Sequence, residues 1–118
     1  FAVLPAMETI IDPVRQHASA FAREALNGSA EHQGEAHTHL DHELERYKSL
    51  AKRHAFLTEA LAELDRQFLA HLNKAHPDDT KARASCGQRP RHARAKVMVE
   101  DRKQAIEEQR DPLFGRSN

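Results

Sequence analysis

The fold of this chain is decided by residues 35–76, EAHTHLDHELERYKSLAKRHAFLTEALAELDRQFLAHLNKAH. The stretch contains neither glycine nor proline and lies between Gly34 and Pro77, two residue types that commonly end helices. On a helical wheel centred on Leu61, its apolar residues fill one arc of about 160°. The members of this arc are Leu40, Leu44, Tyr47, Leu50, Ala51, Leu57, Leu64, Phe68, Leu69, Leu72 and Ala75. We therefore expect one unbroken helix, about 55–60 Å long, with partner helices along its length.

Shorter helices are predicted on both sides of this long one. Residues 13–26 carry apolar side chains at helical spacing between Pro13, which suits a first helical position, and Gly28, which ends helices. Residues 91–110 form a second candidate helix. The other segments are an apolar lead-in at 1–11, a basic loop at 77–90 and a tail at 111–118. With both shorter helices antiparallel to the long one, the fold is all-α, either a three-helix bundle or a helical hairpin that dimerises.

Length and composition indicate a single helical domain with a thin core. Of its 118 residues, 31% are charged and 5% aromatic, and the formal net charge is zero. Because the chain begins with Phe1 rather than Met, we expect it to be a piece of a longer protein. It has no run of 18 apolar residues, so we expect no membrane partner. A single cysteine, Cys86, excludes an intrachain disulfide and fits a reducing compartment such as the cytoplasm.

The strongest local charge asymmetry lies between residues 81 and 96. This segment contains no acidic residue and carries six basic ones, Lys81, Arg83, Arg89, Arg91, Arg94 and Lys96. Closely spaced guanidinium groups bind phosphates through bidentate hydrogen bonds and displace counterions from nucleic acids. The neutral net charge and the lack of a helix-turn-helix pattern limit this prediction to non-specific or auxiliary phosphate contact. The alternative is that the segment pairs with acidic residues of the adjoining long helix.

Nine histidines are many for a chain of this length, and several lie where the long helix begins. His39 and Glu43 are one turn apart on its inward side, so their side chains could converge on a divalent metal such as Zn²⁺. His32 or Glu35, from the preceding loop, would supply further ligands. The alternative is a solvated helix start, where early acidic residues suit the helix dipole.

A second pair of histidines is expected to meet inside the bundle. His54 lies near the middle of the apolar arc, and an antiparallel first helix would bring His17 within a turn or two of it. Two facing imidazoles would sense pH or share a proton. The alternative is that each finds its own hydrogen-bond partner at the edge of the core.

Phe56 is the candidate contact with a partner protein. On the wheel it lies opposite the apolar arc, so we expect it to be exposed. If the two shorter helices lie end to end, half of the long helix stays uncovered. A second copy of the chain would then cover it, giving a homodimer with coiled-coil contacts.

Three functions follow from these patterns. The first is a non-enzymatic helical interaction or assembly module that binds a protein partner or a second copy of itself. The second is a nucleic-acid-associated accessory domain that uses residues 81–96. The third is a small metal-binding or histidine-based sensor domain. Catalysis is not expected within this chain, because Cys86 and the histidines follow no order typical of nucleophilic enzymes.

Overall fold

The computed structural model describes residues 13–28 and 35–110, with only the backbone described for Glu35, Ala36 and Arg110. Its helices are α1 (Pro13–Asn27), α2 (Glu35–Leu44), α3 (Leu50–Ala75), α4 (Thr80–Ala84) and α5 (Gln88–Arg110). Helices α1, α3 and α5 pack against one another, and α2 contacts both α1 and α5. The all-α bundle is therefore confirmed. In the described ranges, no helix combines the length and the apolar character needed to cross a bilayer.

The unbroken helix expected over residues 35–76 is wrong, because the chain leaves the helical path between α2 and α3. Ser49 takes an extended backbone conformation and caps α3, its hydroxyl accepting a hydrogen bond from the Lys52 N–H at 3.1 Å. The Arg53 guanidinium donates to the Tyr47 carbonyl at 2.6 Å and satisfies an oxygen that the break leaves free. With 26 residues, α3 is about 39 Å long.

Helix α5 runs antiparallel to α3, as predicted. Near the start of α3, His54 contacts Glu107 from the end of α5 at 2.8 Å. Further along α3, Asp65 contacts His92 from the beginning of α5 at the same distance. Both contacts join an imidazole to a carboxylate across the interface between the two helices.

Helix α1 runs antiparallel to α2, the first part of the predicted long helix, since Glu24 contacts His39 and His17 contacts Tyr47 just beyond α2. Relative to α3, however, α1 does not run antiparallel. Its last residue, Asn27, lies with Lys74 on the wall of one cavity, so the carboxyl ends of α1 and α3 are neighbours. Nearer its beginning, His17 contacts the Tyr47 hydroxyl at 2.8 Å, just before α3 starts. The physical reason is α2, which carries the chain back along the bundle before α3 begins.

Phe56 is completely buried, so the expectation of an exposed partner contact is wrong. Its ring centroid lies 5.6 Å from that of Tyr47 and 6.3 Å from that of Phe21. Because α3 is covered by α1 on one side and α5 on another, its buried face extends past the predicted arc to Phe56. At the other edge of that arc, Leu69 is 52% exposed. Helices α1 and α5 lie side by side on α3 and contact each other. The dimer prediction assumed instead that they lie end to end and leave half of the long helix uncovered.

The segment 77–90 is more ordered than the predicted basic loop. It contains α4, which Asp79 caps by accepting a hydrogen bond from the Ala82 N–H at 3.0 Å. Helix α5 begins at Gln88 and includes Pro90 in its first turn, where proline is tolerated. Helix α1 matches its predicted bounds to within one residue. The predicted lead-in at 1–11 and tail at 111–118 lie outside the described residues.

A buried carboxylate joins α3 to α1. Glu63 pairs with Arg66, three residues further along α3, and is only 5% exposed. The Gln67 amide donates both to the Glu63 carboxylate at 3.1 Å and to the Ser19 carbonyl of α1 at 3.0 Å. Chiefly through the hydrogen bond from Arg66, these contacts lower the pKa of Glu63 from 4.5 to about 2.

We expect Glu63 to make the stability of the bundle fall in acid. Its folded-state pKa of about 2 is below the usual 4.5, so its contribution is complete above the higher value and is lost as the pH falls toward the lower one. The Glu63→Gln variant should be destabilised by about 1–3 kcal/mol at pH 7 and should lose less further stability in acid. Urea unfolding at pH 7, 4 and 3 measures this. Exposed Glu100→Gln is the control, and equal acid sensitivity of Glu63→Gln and the wild type would contradict the prediction.

Candidate metal centre

Two histidines and the single cysteine meet at the end of α3. The potential ligand atoms of His71, His76 and Cys86 all lie within 4.8 Å of one another. Cys86 is 5% exposed, whereas both histidines are partly buried. A search of the described residues for three or more His, Cys, Asp or Glu side chains that could hold a metal ion finds this group.

The end of α3 and the reversal of the chain after it bring these residues together. His71 lies in α3, and His76 is the C-cap of that helix, with its N–H donating to the Leu72 carbonyl at 2.8 Å. Arg83 of α4 donates to the His76 carbonyl at 3.0 Å and to the Asn73 side chain at 3.1 Å. The returning segment is thus held against the end of α3.

The backbone of Cys86 is fixed from both sides. Its N–H donates to the Arg83 carbonyl at 3.4 Å, and its own carbonyl accepts from the Arg89 N–H at 3.0 Å. The Arg89 side chain donates to the same Arg83 carbonyl at 2.9 Å. These contacts fix the position of the backbone that carries the thiol.

One thiolate and two imidazoles suit zinc and, more generally, borderline or soft transition metals. Zinc bonds of about 2.0–2.3 Å place tetrahedral ligand atoms roughly 3.3–3.7 Å apart. The ligand atoms of this cluster lie within 4.8 Å of one another, so binding a zinc ion requires an approach of at most about 1.5 Å. Three protein ligands would leave one tetrahedral position open.

This cluster was not predicted from the sequence, because the spacing of its three residues matches no simple metal-binding motif. His71 and His76 are five residues apart, and Cys86 follows after a short helix. A signal was nevertheless present. Pro77 and Gly87 bracket the segment between a histidine and the cysteine, which is typical of a chain that turns back on itself.

The structure gives the predicted zinc ligands other partners. His39 contacts Glu24 of α1 at 2.9 Å, and Glu43 contacts Arg46 at 3.1 Å. His32 and the side chain of Glu35 lie outside the description. Zinc binding at these residues stays a prediction.

Much of the basic segment contacts the bundle itself. At least four of its cations have such contacts: Arg83 with the His76 carbonyl at 3.0 Å, Arg89 over the Phe68 ring at 5.2 Å, Arg91 with the Leu26 carbonyl at 2.6 Å and Lys96 with the Asp65 carboxylate at 3.4 Å. Lys96 pairs with an acidic residue of the predicted long helix, as the alternative prediction states. These contacts weaken the case for a phosphate-binding surface, which stays a prediction.

His17 and His54 do not face each other. His17 contacts the Tyr47 hydroxyl, whereas His54 contacts Glu107. Their expected pairing is wrong, because it assumed an unbroken helix through Tyr47 and His54, whereas a new helix begins after Ser49. The alternative, a separate partner for each imidazole, is confirmed.

Comparisons with protein-family models, with curated proteins and with solved structures found no match for this chain. The contacts described above are therefore the basis on which a function is assigned.

Proposed function

We propose that this chain is a small helical domain that binds one divalent transition-metal ion, zinc in the first place, through His71, His76 and Cys86. The supporting observation is the convergence of three ligand atoms, within 4.8 Å, from two parts of the chain separated by α4. A mixed sulfur and nitrogen set is one that zinc accepts. This is the third of the sequence hypotheses, with different ligands.

The proposed role is non-enzymatic and metal-responsive. An ion held by His71 and Cys86 closes the loop that contains α4, so occupancy stabilises the corner where α3, α4 and α5 meet. The stability of this corner then depends on the concentration of free metal ion. A thiolate ligand must stay reduced, so the proposal fits a reducing compartment such as the cytoplasm.

Zinc titration of metal-free protein by calorimetry tests this function. We expect one site per chain and, in His71→Ala, an affinity lower by at least about tenfold. His42→Ala is the matched control, since the His42 side chain is 79% exposed and lies away from the cluster. Absence of binding, or equal affinity in wild type and His71→Ala, would contradict the proposal.

A second candidate is a protein partner or a second copy of the chain. Two large apolar side chains support it, Leu69 at 52% exposure and Val97 at 57%. Light scattering over a dilution series tests it, because a persistent mass near twice 13.4 kDa would indicate a homodimer.

Adding a mixed-sequence DNA duplex to the same series tests the nucleic-acid hypothesis, and a mass that shifts only with duplex would favour it.

A further inference from the structure

The candidate metal centre combines one soft ligand with two borderline ones. Its members are the Cys86 thiol and the imidazoles of His71 and His76, so the group that the described residues form contains no carboxylate. Thiolates favour soft ions such as Cu(I), imidazoles bind copper as well as zinc, and carboxylates favour hard ions such as Mg²⁺. The chemistry of the ligands therefore suits copper at least as well as zinc.

Three protein ligands are a complete set for Cu(I) but an incomplete one for zinc. Cu(I) is stable with two or three ligands, whereas zinc in proteins is almost always four-coordinate. The described residues contribute three ligand atoms to the group, and Cys86, which carries the sulfur, is only 5% exposed. Zinc would need a fourth ligand from outside this group, such as a water molecule. A Cu(I) ion with the same three ligands needs no such addition.

The charge of this corner also favours a monovalent ion. Cu(I) with one thiolate and two neutral imidazoles forms a unit without net charge, whereas zinc with the same ligands keeps a charge of plus one. The Arg83 guanidinium lies 3.0 Å from the His76 carbonyl, and the Arg89 guanidinium lies 2.9 Å from the Arg83 carbonyl. Partial burial of a positive unit costs free energy, and two nearby positive side chains add to that cost.

We propose that the site formed by His71, His76 and Cys86 binds Cu(I) more tightly than zinc, so that Cu(I) displaces zinc from it. This inference rests on the metal-binding function proposed above and names the ion that the site prefers. Displacement exchanges one Cu(I) for one Zn²⁺ at an unchanged thiolate, so neither an electron nor a proton is transferred. Zinc fills the site while Cu(I) is scarce.

Displacement is measured without oxygen and in ascorbate, which keeps copper as Cu(I). The zinc-loaded full chain is titrated with the acetonitrile complex of Cu(I), and a fluorescent indicator reports the zinc released. Competition with bicinchoninate then gives the dissociation constant for Cu(I). We expect one zinc ion released per Cu(I) bound, and a dissociation constant at least about a hundredfold lower for Cu(I) than for zinc.

The outcomes separate this inference from the metal-binding function. Zinc that stays bound in the presence of equimolar Cu(I) would overturn the inference and leave the metal-binding function standing. Metal-free protein that binds neither ion would overturn the function itself.

Variants at two ligands test whether the thiolate causes the preference. Cys86→Ser should lower the affinity for Cu(I) by a larger factor than the affinity for zinc, because it removes the soft ligand. His71→Ala keeps the thiolate and should do the reverse, since Cu(I) tolerates two ligands and zinc does not. His42→Ala is the matched control and should behave as the wild type, because the His42 side chain is 79% exposed.

An affinity for Cu(I) that is unchanged in Cys86→Ser would place the ion elsewhere in the chain and overturn the inference. Should Cys86→Ser fail to fold, His71→Ala decides, because a larger loss of affinity for Cu(I) than for zinc in that variant would contradict a preference set by the thiolate.

Discussion

Replacing Phe56 with alanine is expected to lower the free energy of unfolding by about 3–5 kcal/mol. The side chain is completely buried, with its ring between those of Phe21 and Tyr47. Removing it leaves a cavity where α1, α3 and the α2–α3 break meet, and surrounding structure relaxes only partly into such a cavity. Small domains are stable by about 5–15 kcal/mol, so this change removes much of the total. Urea unfolding followed by circular dichroism at 222 nm measures the loss.

Leu69→Ala is the matched control for this experiment. Leu69 lies on the same helix but is 52% exposed, so its truncation should cost less than about 1 kcal/mol. The helical wheel alone predicts the opposite order, since it places Leu69 inside the apolar arc and Phe56 outside it. Equal stability of Phe56→Ala and the wild type would show that Phe56 is a surface residue after all.

The second large effect concerns zinc and Cys86. Zinc at about 100 times its dissociation constant should stabilise the wild type by about 2.7 kcal/mol, a rise in melting temperature of roughly 10 °C. In Cys86→Ser this rise should disappear, because a serine hydroxyl has nearly the same shape but is a poor zinc ligand. Without zinc, Cys86→Ser should be less stable than the wild type by about 1–3 kcal/mol, because it buries a hydroxyl in place of a thiol. Melting in chelator and in zinc measures both quantities.

The control for Cys86→Ser is His42→Ala, which should keep the full response to zinc. If Cys86→Ser responds as strongly as the wild type, the ion binds elsewhere in the chain. His39→Ala then tests whether the predicted site at the beginning of α2 is responsible. In the structure, His39 contacts Glu24 at 2.9 Å and stacks on Phe21. A response lost in His39→Ala and kept in Cys86→Ser would move the metal function to that site.

The extent of helix was predictable because helical periodicity is a strong signal, and α1 and α5 lie close to their predicted bounds. The break after α2 was not, because apolar residues keep their spacing across it: Leu44, Tyr47 and Leu50 are three residues apart. Only Ser49, a residue favoured as N-cap, marks the new start. A helical wheel drawn through this break cannot give the direction of α1 relative to α3, because that direction depends on how α2 and α3 are joined.

Burial on α3 was predictable only in part. A wheel shows where apolar residues cluster, yet the positions of the partner helices decide which edge of the cluster is covered. Glu63 illustrates this. Its pairing with Arg66 follows from their spacing on one helix. Its burial depends on the neighbouring α1, whose Ser19 is joined to Glu63 through Gln67. The candidate metal cluster depends on tertiary structure in the same way, since α4 lies between Cys86 and both histidines along the chain.

X-ray absorption at the zinc edge of the purified, zinc-loaded protein tests the central claim most directly. We expect one sulfur neighbour at about 2.3 Å together with nitrogen or oxygen neighbours at about 2.0–2.1 Å. The sulfur contribution should vanish in Cys86→Ser. A wild-type spectrum with nitrogen and oxygen neighbours alone would contradict zinc binding by His71, His76 and Cys86.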